Sequence, residues 1–349
     1  MSYAQNLMGL GMPAGLATLI SQNSSNSAPA FTGNYFYIDP VNGSDSNAGT
    51  IGAPFQTIYM AYAMCVSGHN DVCVLIGNGS STGTARMSTA LAASVTPSAT
   101  TGTLTWAKNA THLIGICSPV CMNARARFAP PTGTYTAATF GNAGNMFNVT
   151  GTGCYFSNFS VFNGFSTGAA AQIAWIENGG RNAYVGVAFQ GMNDTASAND
   201  AGSMAIQISG SVGENLFQDC FFGDDTTART AANSTMTFTG GSPRNQFINC
   251  KWLAYLTGSG SGAFHVTAST SGIDREAIFD RCKFIVAVKS GSATTMAQVF
   301  KLTAPGGMFI LDPNCVSAGA TAWETASSGF LYVSGAVPTF ATSGVAKPS

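Results

Sequence analysis

Fifteen acidic side chains are spread along the 349 residues, and one stretch gathers three of them: Asp219, Asp224 and Asp225, with Arg229 close behind. Polysaccharide hydrolysis needs such a grouping. One carboxylic acid protonates the leaving oxygen, and a second carboxylate, about 5–10 Å away, acts as base or nucleophile. Eliminative cleavage pairs a carboxylate with Arg or Lys instead. Each acid here also has a plain explanation. Asp219 falls at a bend, and Asp224 and Asp225 open a polar TTARTAANS stretch that solvent would satisfy. The expected assignment is no catalytic residue, with Asp219, Asp224 and Asp225 as the alternative glycan-cleaving set, and Glu276 and Asp280 contributed by a nearby repeat.

Metal chemistry finds less support. Nine cysteines stand at 65, 73, 117, 121, 154, 220, 250, 282 and 315. An odd number scattered over a long chain is not a disulfide framework. Cys117 and Cys121 have a ligand-like spacing, but no second Cys or His pair accompanies them, and His69, His112 and His265 are far apart. No metal and no cofactor are expected, and the cysteines read as small buried hydrophobes. The loop bracketed by Asp39 and Asp45 lacks the spacing and terminal Glu of an EF-hand, and reads as a capping loop.

The composition narrows the partners. Charged residues make up only 8% of the chain, against about 25% in ordinary domains. With 45% hydrophobic residues and a net charge of −1, the chain is not of disordered type. It has no basic patch, which argues against nucleic acid. Lys283 and Lys289 with Arg275 and Arg281 amount to a solvated face. No run approaches 18 apolar residues, so no membrane span is expected. The segment MSYAQNLMGLGMPAGLATLIS has no Lys or Arg ahead of its apolar part and is broken by Pro13 and Gly15, so it does not read as a cleaved signal.

The elements that would position these residues come from an internal repeat. An aromatic, a spacer, a small polar residue and an apolar residue recur in YFSNFSVF (155–162), AYVGVAF (183–189), LFQDCFF (216–222), QFINCKW (246–252) and IFDRCKF (278–284), then MFILD (308–312). The anchors Phe156, Tyr184, Phe217, Phe247, Phe279 and Phe309 are 28, 33, 30, 32 and 30 residues apart. A second series interleaves with it: MFNVT (146–150), IAWIE (173–177), AIQIS (205–209), TMTFT (235–239), AFHVT (263–267), QVFKL (298–302) and FLYVS (330–334). Alternation with period 2 over about five residues, ending at Gly, Asn or Asp, is a strand signature. A propeller blade needs about 40 residues and four strands. A single-stranded parallel β-helix with coils of about 30 residues fits both series.

Stacked coils place equivalent residues in ladders about 4.8 Å apart. Tyr184, Phe217, Phe247 and Phe279 form one core ladder, and Val187, Cys220, Cys250 and Cys282 a second. Phe189, Phe222, Trp252 and Phe284 form a third. Between them Gly186, Asp219, Asn249 and Arg281 take a bend that Gly, Asn and Asp tolerate best, and Arg281 fits less well. In the coil from Phe309 the register is expected to fail, because Asp312-Pro313 falls where a strand should be. That coil would be a bulge or the start of a C-terminal cap. The period is blurred between 66 and 145, where DVCVLIG (71–77) and THLIGICS (111–118) read as strands around a low-complexity insertion at 79–104.

Open solenoid ends must be covered. In 35–65, Phe55, Ile58, Tyr62 and Cys65 lie on one side of a short capping helix. The pattern Tyr37-Ile38-Asp39, Asn42-Gly43-Ser44-Asp45, Gly49-Thr50, Pro54-Phe55-Gln56-Thr57-Ile58 and Ala61 resembles the opening motif of pectate-lyase-like parallel β-helix proteins. Phage tailspikes and related virion proteins often carry this motif. The resemblance implies an all-β, right-handed parallel β-helix over most of 35–335. It implies little about activity, because the fold hosts lyases, hydrolases and inert scaffolds. The stretch Leu10–Ala17 resembles leader segments of phage β-helix structural proteins, which implies an arm that docks onto a particle.

The expected organisation is an arm and linker (1–30), an opening strand, loop and capping helix (31–65), the β-helix (66–335) and a tail (336–349). The expected function is a non-enzymatic virion structural protein, a capsid decoration or cement protein on the particle exterior. Its docking side chains would be Leu7, Met8, Leu10, Met12, Pro13, Leu16, Leu19 and Ile20. Its partners would be the major capsid protein or another virion protein, and two further copies of itself, the homotrimer being implied by the resemblance. The alternative is a tailspike that binds or cleaves a host glycan. A third possibility is a glycan-binding module using aromatics such as Trp106 or Trp175, although Trp175 also reads as core.

Overall fold

The computed structural model describes residues 31–87, 103–120, 122–130, 145–163, 171–229, 231–257, 262–288, 296–324, 330–334 and 345–346. The unit from Asn34 onward is a right-handed parallel β-helix. Each full coil contributes one strand to each of three sheets. Sheet one runs from Tyr35–Ile38 and Val72–Ile76 through Ala183–Val185, Leu216–Gln218, Asn245–Ile248 and Glu276–Asp280 to Met308–Leu311 and Leu331–Ser334. Sheet two runs from Leu104–Trp106 through Ile173–Glu177, Met204–Ile208, Ser234–Phe238 and Phe264–Ala268 to Phe300–Leu302. Sheet three includes Ala188–Gln190, Phe221–Arg229, Lys251–Leu256 and Lys283–Val288.

The anchors of sheet one pair in register: Phe156 with Tyr184, Tyr184 with Phe217, Phe217 with Phe247, and Phe247 with Phe279. Their rings stack at 4.6–4.9 Å with nearly parallel planes, the rung spacing of a sheet. Next along the chain come Asn158, Gly186, Asp219, Asn249 and Arg281, all with φ between 52° and 63°. This left-handed bend turns the chain from sheet one into sheet three. The residues after it point inward again: Cys220, Cys250 and Cys282 are buried, and each thiol donates to a sheet-one carbonyl, of Tyr184, Phe217 and Phe247.

The C-terminal coils bear out one expectation and correct another. In the coil from Phe309 the register shifts, as expected, while the solenoid continues. Met308–Leu311 continues sheet one with Ala277 opposite Phe309 and Phe279 opposite Leu311, two residues out of the expected register. The bend there is one residue longer, Asp312-Pro313-Asn314, and it returns the chain so that Cys315 Sγ donates to Phe279 O at 3.2 Å. Proline fits because it sits in the bend, where no ladder N–H is needed. Secondly, Leu331–Ser334 does not extend the second series. It pairs with Met308–Leu311 in sheet one, and Val345–Ala346 pairs antiparallel to it.

At the other end, helix α1 (Ile58–Met64) starts at Thr57, whose hydroxyl accepts from Met60 N. Asp45 fixes that start by accepting from the amides of Gln56 and Thr57 and from the Thr57 hydroxyl. The helix buries Ile58, Tyr59, Ala61 and Tyr62. The Tyr62 ring lies 4.4 Å from Trp106, and its hydroxyl accepts from the amides of Ala107 and Lys108. No helix among the described residues is long and apolar enough to cross a membrane.

Candidate functional site

All fifteen acids lie within the described residues, and Glu276 opens the sheet-one strand Glu276–Asp280, opposite Met308 and apart from Asp224. Most carboxylates hold the protein's own backbone or bases. Asp39 accepts from the amides of Val41 and Asn42, and buried Asp71 from those of Asn34 and Val66 and from the His69 ring. Glu214 joins Arg181 and Arg244 from the coils on either side. Asp194, Asp200 and Asp312 each accept an amide two or three residues ahead. Asp274 and Asp280 pair with the arginine that follows each.

The three acids of the alternative catalytic set do not converge. Asp219 is exposed at the left-handed bend, and its Oδ1 accepts from Asn249 Nδ2 at 2.6 Å. Asp225 is exposed on sheet three. Asp224 points inward and is only 4% exposed. Its direction follows from Gly223, which adopts φ 96° and lies so close to the next strand that a Cβ would stand 2.0 Å from Leu253 O. Past Asp224 the pairing with the next strand is irregular up to Arg229, which is 2% exposed.

Asp224 and Arg229 form the centre of a polar corner between sheets three and two. Asp224 Oδ1 accepts from Thr226 N at 2.6 Å. Arg229 Nη2 donates to Thr235 Oγ1 at 2.7 Å, and His265 occupies the rung next to Thr235. Asp224 Oδ2, Arg229 Nη1 and both ring nitrogens of His265 are buried without a hydrogen-bond partner among the described residues. Burial pushes the Asp224 carboxyl up to about 7, against the Thr226 amide and the Arg229 charge, and lowers the Arg229 guanidinium to about 10. Burial, with Arg229, also holds His265 well below its usual value and therefore neutral. A carboxyl near neutrality beside a guanidinium could move a proton and hold an anion. The corner is closed, however, and neither groove described below reaches it.

A second buried carboxylate is fully satisfied. Glu177 is buried in an aliphatic ladder between Val149 and Ile208. Its Oε2 accepts from the Tyr184 hydroxyl and its Oε1 from Asn182 Nδ2 at 3.0 Å. Trp175 Nε1 donates to the Tyr184 oxygen at 3.2 Å. Burial pushes Glu177 up to about 8, with Tyr184 and Asn182 pulling the other way. Sequence reading missed this residue although a signal was present. Glu177 follows Trp175 by two positions, so strict alternation turns it into the core.

Two shallow grooves mark the surface. One, of about 400 Å³, runs over the outer face of sheet two past Thr237, Phe264, Thr267 and Lys301. Lys301 Nζ lies 5.1 Å from the Phe264 ring centre. The other, of about 340 Å³, lies at the bend between sheets one and three and is lined by Asp219, Asn249, Lys251 and Lys283. Trp106 and Trp175 are both fully buried, which removes them as sugar-stacking surface aromatics. No cluster of three or more potential metal ligands occurs among the described residues. The docking set Leu7, Met8, Leu10, Met12, Pro13, Leu16, Leu19 and Ile20 lies outside the described residues, as does Cys121.

No protein-family model matches the chain, and no curated protein matches it. Among solved structures it is similar to a rhamnogalacturonan lyase, with a TM-score of 0.56 and 14% identity over 82% of this chain and 68% of the other. It is also similar to the pectate lyase Pel9A, with a TM-score of 0.48 and 15% identity over 87% and 83%. Geobacillus virus E2 ORF18 is similar with a TM-score of 0.33 and 10% identity over 93% and 64%. Identity this low speaks for the fold alone.

Proposed function

We propose that the chain is a non-enzymatic structural protein of a virus particle, a decoration protein on the capsid exterior docked through residues 1–30. The observation that supports the non-enzymatic part is the commitment of the carboxylates. Asp219 is tied to Asn249, Asp224 is sealed inside, and Asp225 stands alone on sheet three. A two-carboxylate mechanism needs both groups facing one bond, and these three do not share a cleft. The virion part rests on the resemblance of the 37–61 motif and of the leader segment. Immunogold labelling of the source particle, with antibody against residues 31–349, tests it. Label over the head is expected, and label restricted to the tail tip would overturn it. A chain lacking residues 1–30 is expected to stay folded by circular dichroism and to lose particle binding.

The groove over sheet two favours a second reading, a tailspike-like protein that holds a host glycan. Hydroxyl-bearing Thr237 and Thr267 beside the Phe264 ring and the Lys301 cation suit a sugar's mixed polar and apolar faces. That reading predicts glycan binding lost in Phe264→Ala. A cleaving enzyme would also lose turnover in Asp224→Asn or Asp225→Asn.

A further inference from the structure

Two arrangements stand out among the described cysteines. Cys220, Cys250, Cys282 and Cys315 follow one another along the interior ladder, and each thiol is engaged with a main-chain carbonyl of sheet one. Cys65 and Cys73 are different. Cys65 closes the C-terminal end of helix α1, Cys73 lies in the second strand of sheet one, and their Sγ atoms are 3.5 Å apart. They therefore join two separate elements, the cap and the first coil, across direct sulfur contact. A disulfide is about 2.05 Å long, so closure would draw the two sulfurs together by roughly 1.5 Å.

Two features govern how this pair could react. Lys108 Nζ donates to the carbonyls of Tyr62, Ala63 and Cys65 at 2.7, 3.0 and 2.6 Å, so a cation is pinned at the helix end, where its charge is felt by Cys73. Burial, the Cys65 sulfur and Asp71 push the Cys73 thiol up, and the Lys108 charge pulls against them toward the thiolate. The net shift is upward, so the thiolate, the reactive form, is a minor species and closure quickens as pH rises. Cys65 also lies just under the surface. Its neighbours Met64 and Val66 are 46% and 58% exposed, so loosening the last turn of α1 uncovers its sulfur. Among the ladder cysteines, Cys315 at the end of the row is likewise flanked by exposed residues, Asn314 and Val316, and is the competing thiol.

We propose that Cys65 and Cys73 are a redox modification site, a reversible disulfide that fastens the capping helix to sheet one. The oxidant is a low-molecular-weight disulfide such as glutathione disulfide. The Cys65 thiolate attacks one of its sulfurs, forming a mixed disulfide and expelling one glutathione thiolate. The Cys73 thiolate then attacks the Cys65 sulfur, closing the bond and expelling the second. Two electrons pass from the protein to the reagent, and the two thiol protons end on the two glutathiones. The inference is independent of the function proposed above.

The test uses the full folded chain, reduced and then incubated with glutathione disulfide at pH 8. Free thiols are capped with iodoacetamide, and the chain is cleaved ahead of Asp71, which separates the two cysteines. The expected result is one disulfide joining the Cys65 and Cys73 peptides, a rise in Tm, and reversal of both by dithiothreitol. Cys65→Ser and Cys73→Ala are each expected to abolish the Tm rise, and Lys108→Gln to slow closure. The proposal is overturned if both thiols remain alkylatable under conditions that oxidise the unfolded chain, or if the first bond forms within the 220–315 ladder.

Discussion

Of the three carboxylates that the solenoid buries, Asp71, Glu177 and Asp224, the last two are treated in opposite ways. At Glu177 both oxygens are engaged, by Tyr184 and Asn182, and the Tyr184 oxygen is engaged in turn by Trp175. At the corner of Asp224, Arg229 and His265 the charges face one another, yet four polar atoms have no partner among the described residues. The difference follows from position. Glu177 stands in the regular part of a coil, where a Tyr in the aromatic ladder and a Glu in the aliphatic ladder meet across the core. Asp224 and Arg229 bracket the irregular pairing of Phe221–Arg229, where the next strand does not dictate which groups come together. Regular stacking thus supplies partners to a buried polar group, and an irregular turn leaves it dependent on charge.

The largest expected effect breaks the corner. Arg229→Ala strands a buried carboxyl and should cost about 3–5 kcal/mol, read as a lower urea midpoint. Asp224→Leu with Arg229→Met removes both charges at similar volume and should cost far less than the single change. If the double variant is the worse of the two, Asp224 and Arg229 are not acting as a pair.

The second prediction concerns pH and belongs to Glu177. Its folded value is about 8 against an ordinary 4.5, so the folded state binds the proton more tightly than the unfolded state. The stability this supplies is complete below pH 4.5 and is lost as pH rises through about 8. Over that window the parent should lose on the order of 2–4 kcal/mol. Glu177→Gln, with no proton to lose, should lack this slope in a series of urea melts. For Asp224 the same reasoning gives a window from 3.8 to about 7, so Asp224→Asn separates the two sites by where the slope ends.

A smaller change sharpens the account of Glu177. Tyr184→Phe restores the Phe of its ladder neighbours but leaves Glu177 Oε2 unpartnered, at about 1–3 kcal/mol. Tyr184 stabilises the charged carboxylate, so its loss should also carry the Glu177 slope to higher pH. A variant as stable as the parent at pH 8 would mean that the Tyr184 hydrogen bond contributes nothing.

How much of this was legible in the sequence tracks coil regularity. From Phe156 to Phe279 each in-register step is 28 to 33 residues, and both strand series could be read directly. The earlier steps are longer: Phe36 pairs with Cys73, Cys73 with Leu113 and Leu113 with Phe156, steps of 37, 40 and 43 residues. The long connections, not weak strands, blur the period there. Periodicity also finds inward residues only where alternation holds. It accounts for Glu177, but His265 is buried although Val266 beside it also faces the core, and alternation would have turned one of them out. The corner was visible only as charges close together, because the irregular pairing that turns Asp224 inward has no period.

The smallest prediction concerns the bend between sheets one and three, which turns the chain without burying any charge. Asn249 has φ 52° and gives its side-chain amide to Asp219 in the coil before. Asn249→Ala loses that bond and forces an alanine into a left-handed conformation that only Gly, Asn and Asp visit readily, at roughly 1–2 kcal/mol. Asn249→Gly keeps the backbone easy and should cost less than the alanine, although it loses the same bond. Arg281 takes the same conformation at φ 53° with a side chain that does not favour it, so Arg281→Asn should raise the melting temperature. These signs test whether backbone conformation selects the bend residues. If Asn249→Gly is as damaging as Asn249→Ala, the Asn249–Asp219 hydrogen bond is what holds the bend, and this corner then resembles Glu177 in depending on partners supplied by stacking.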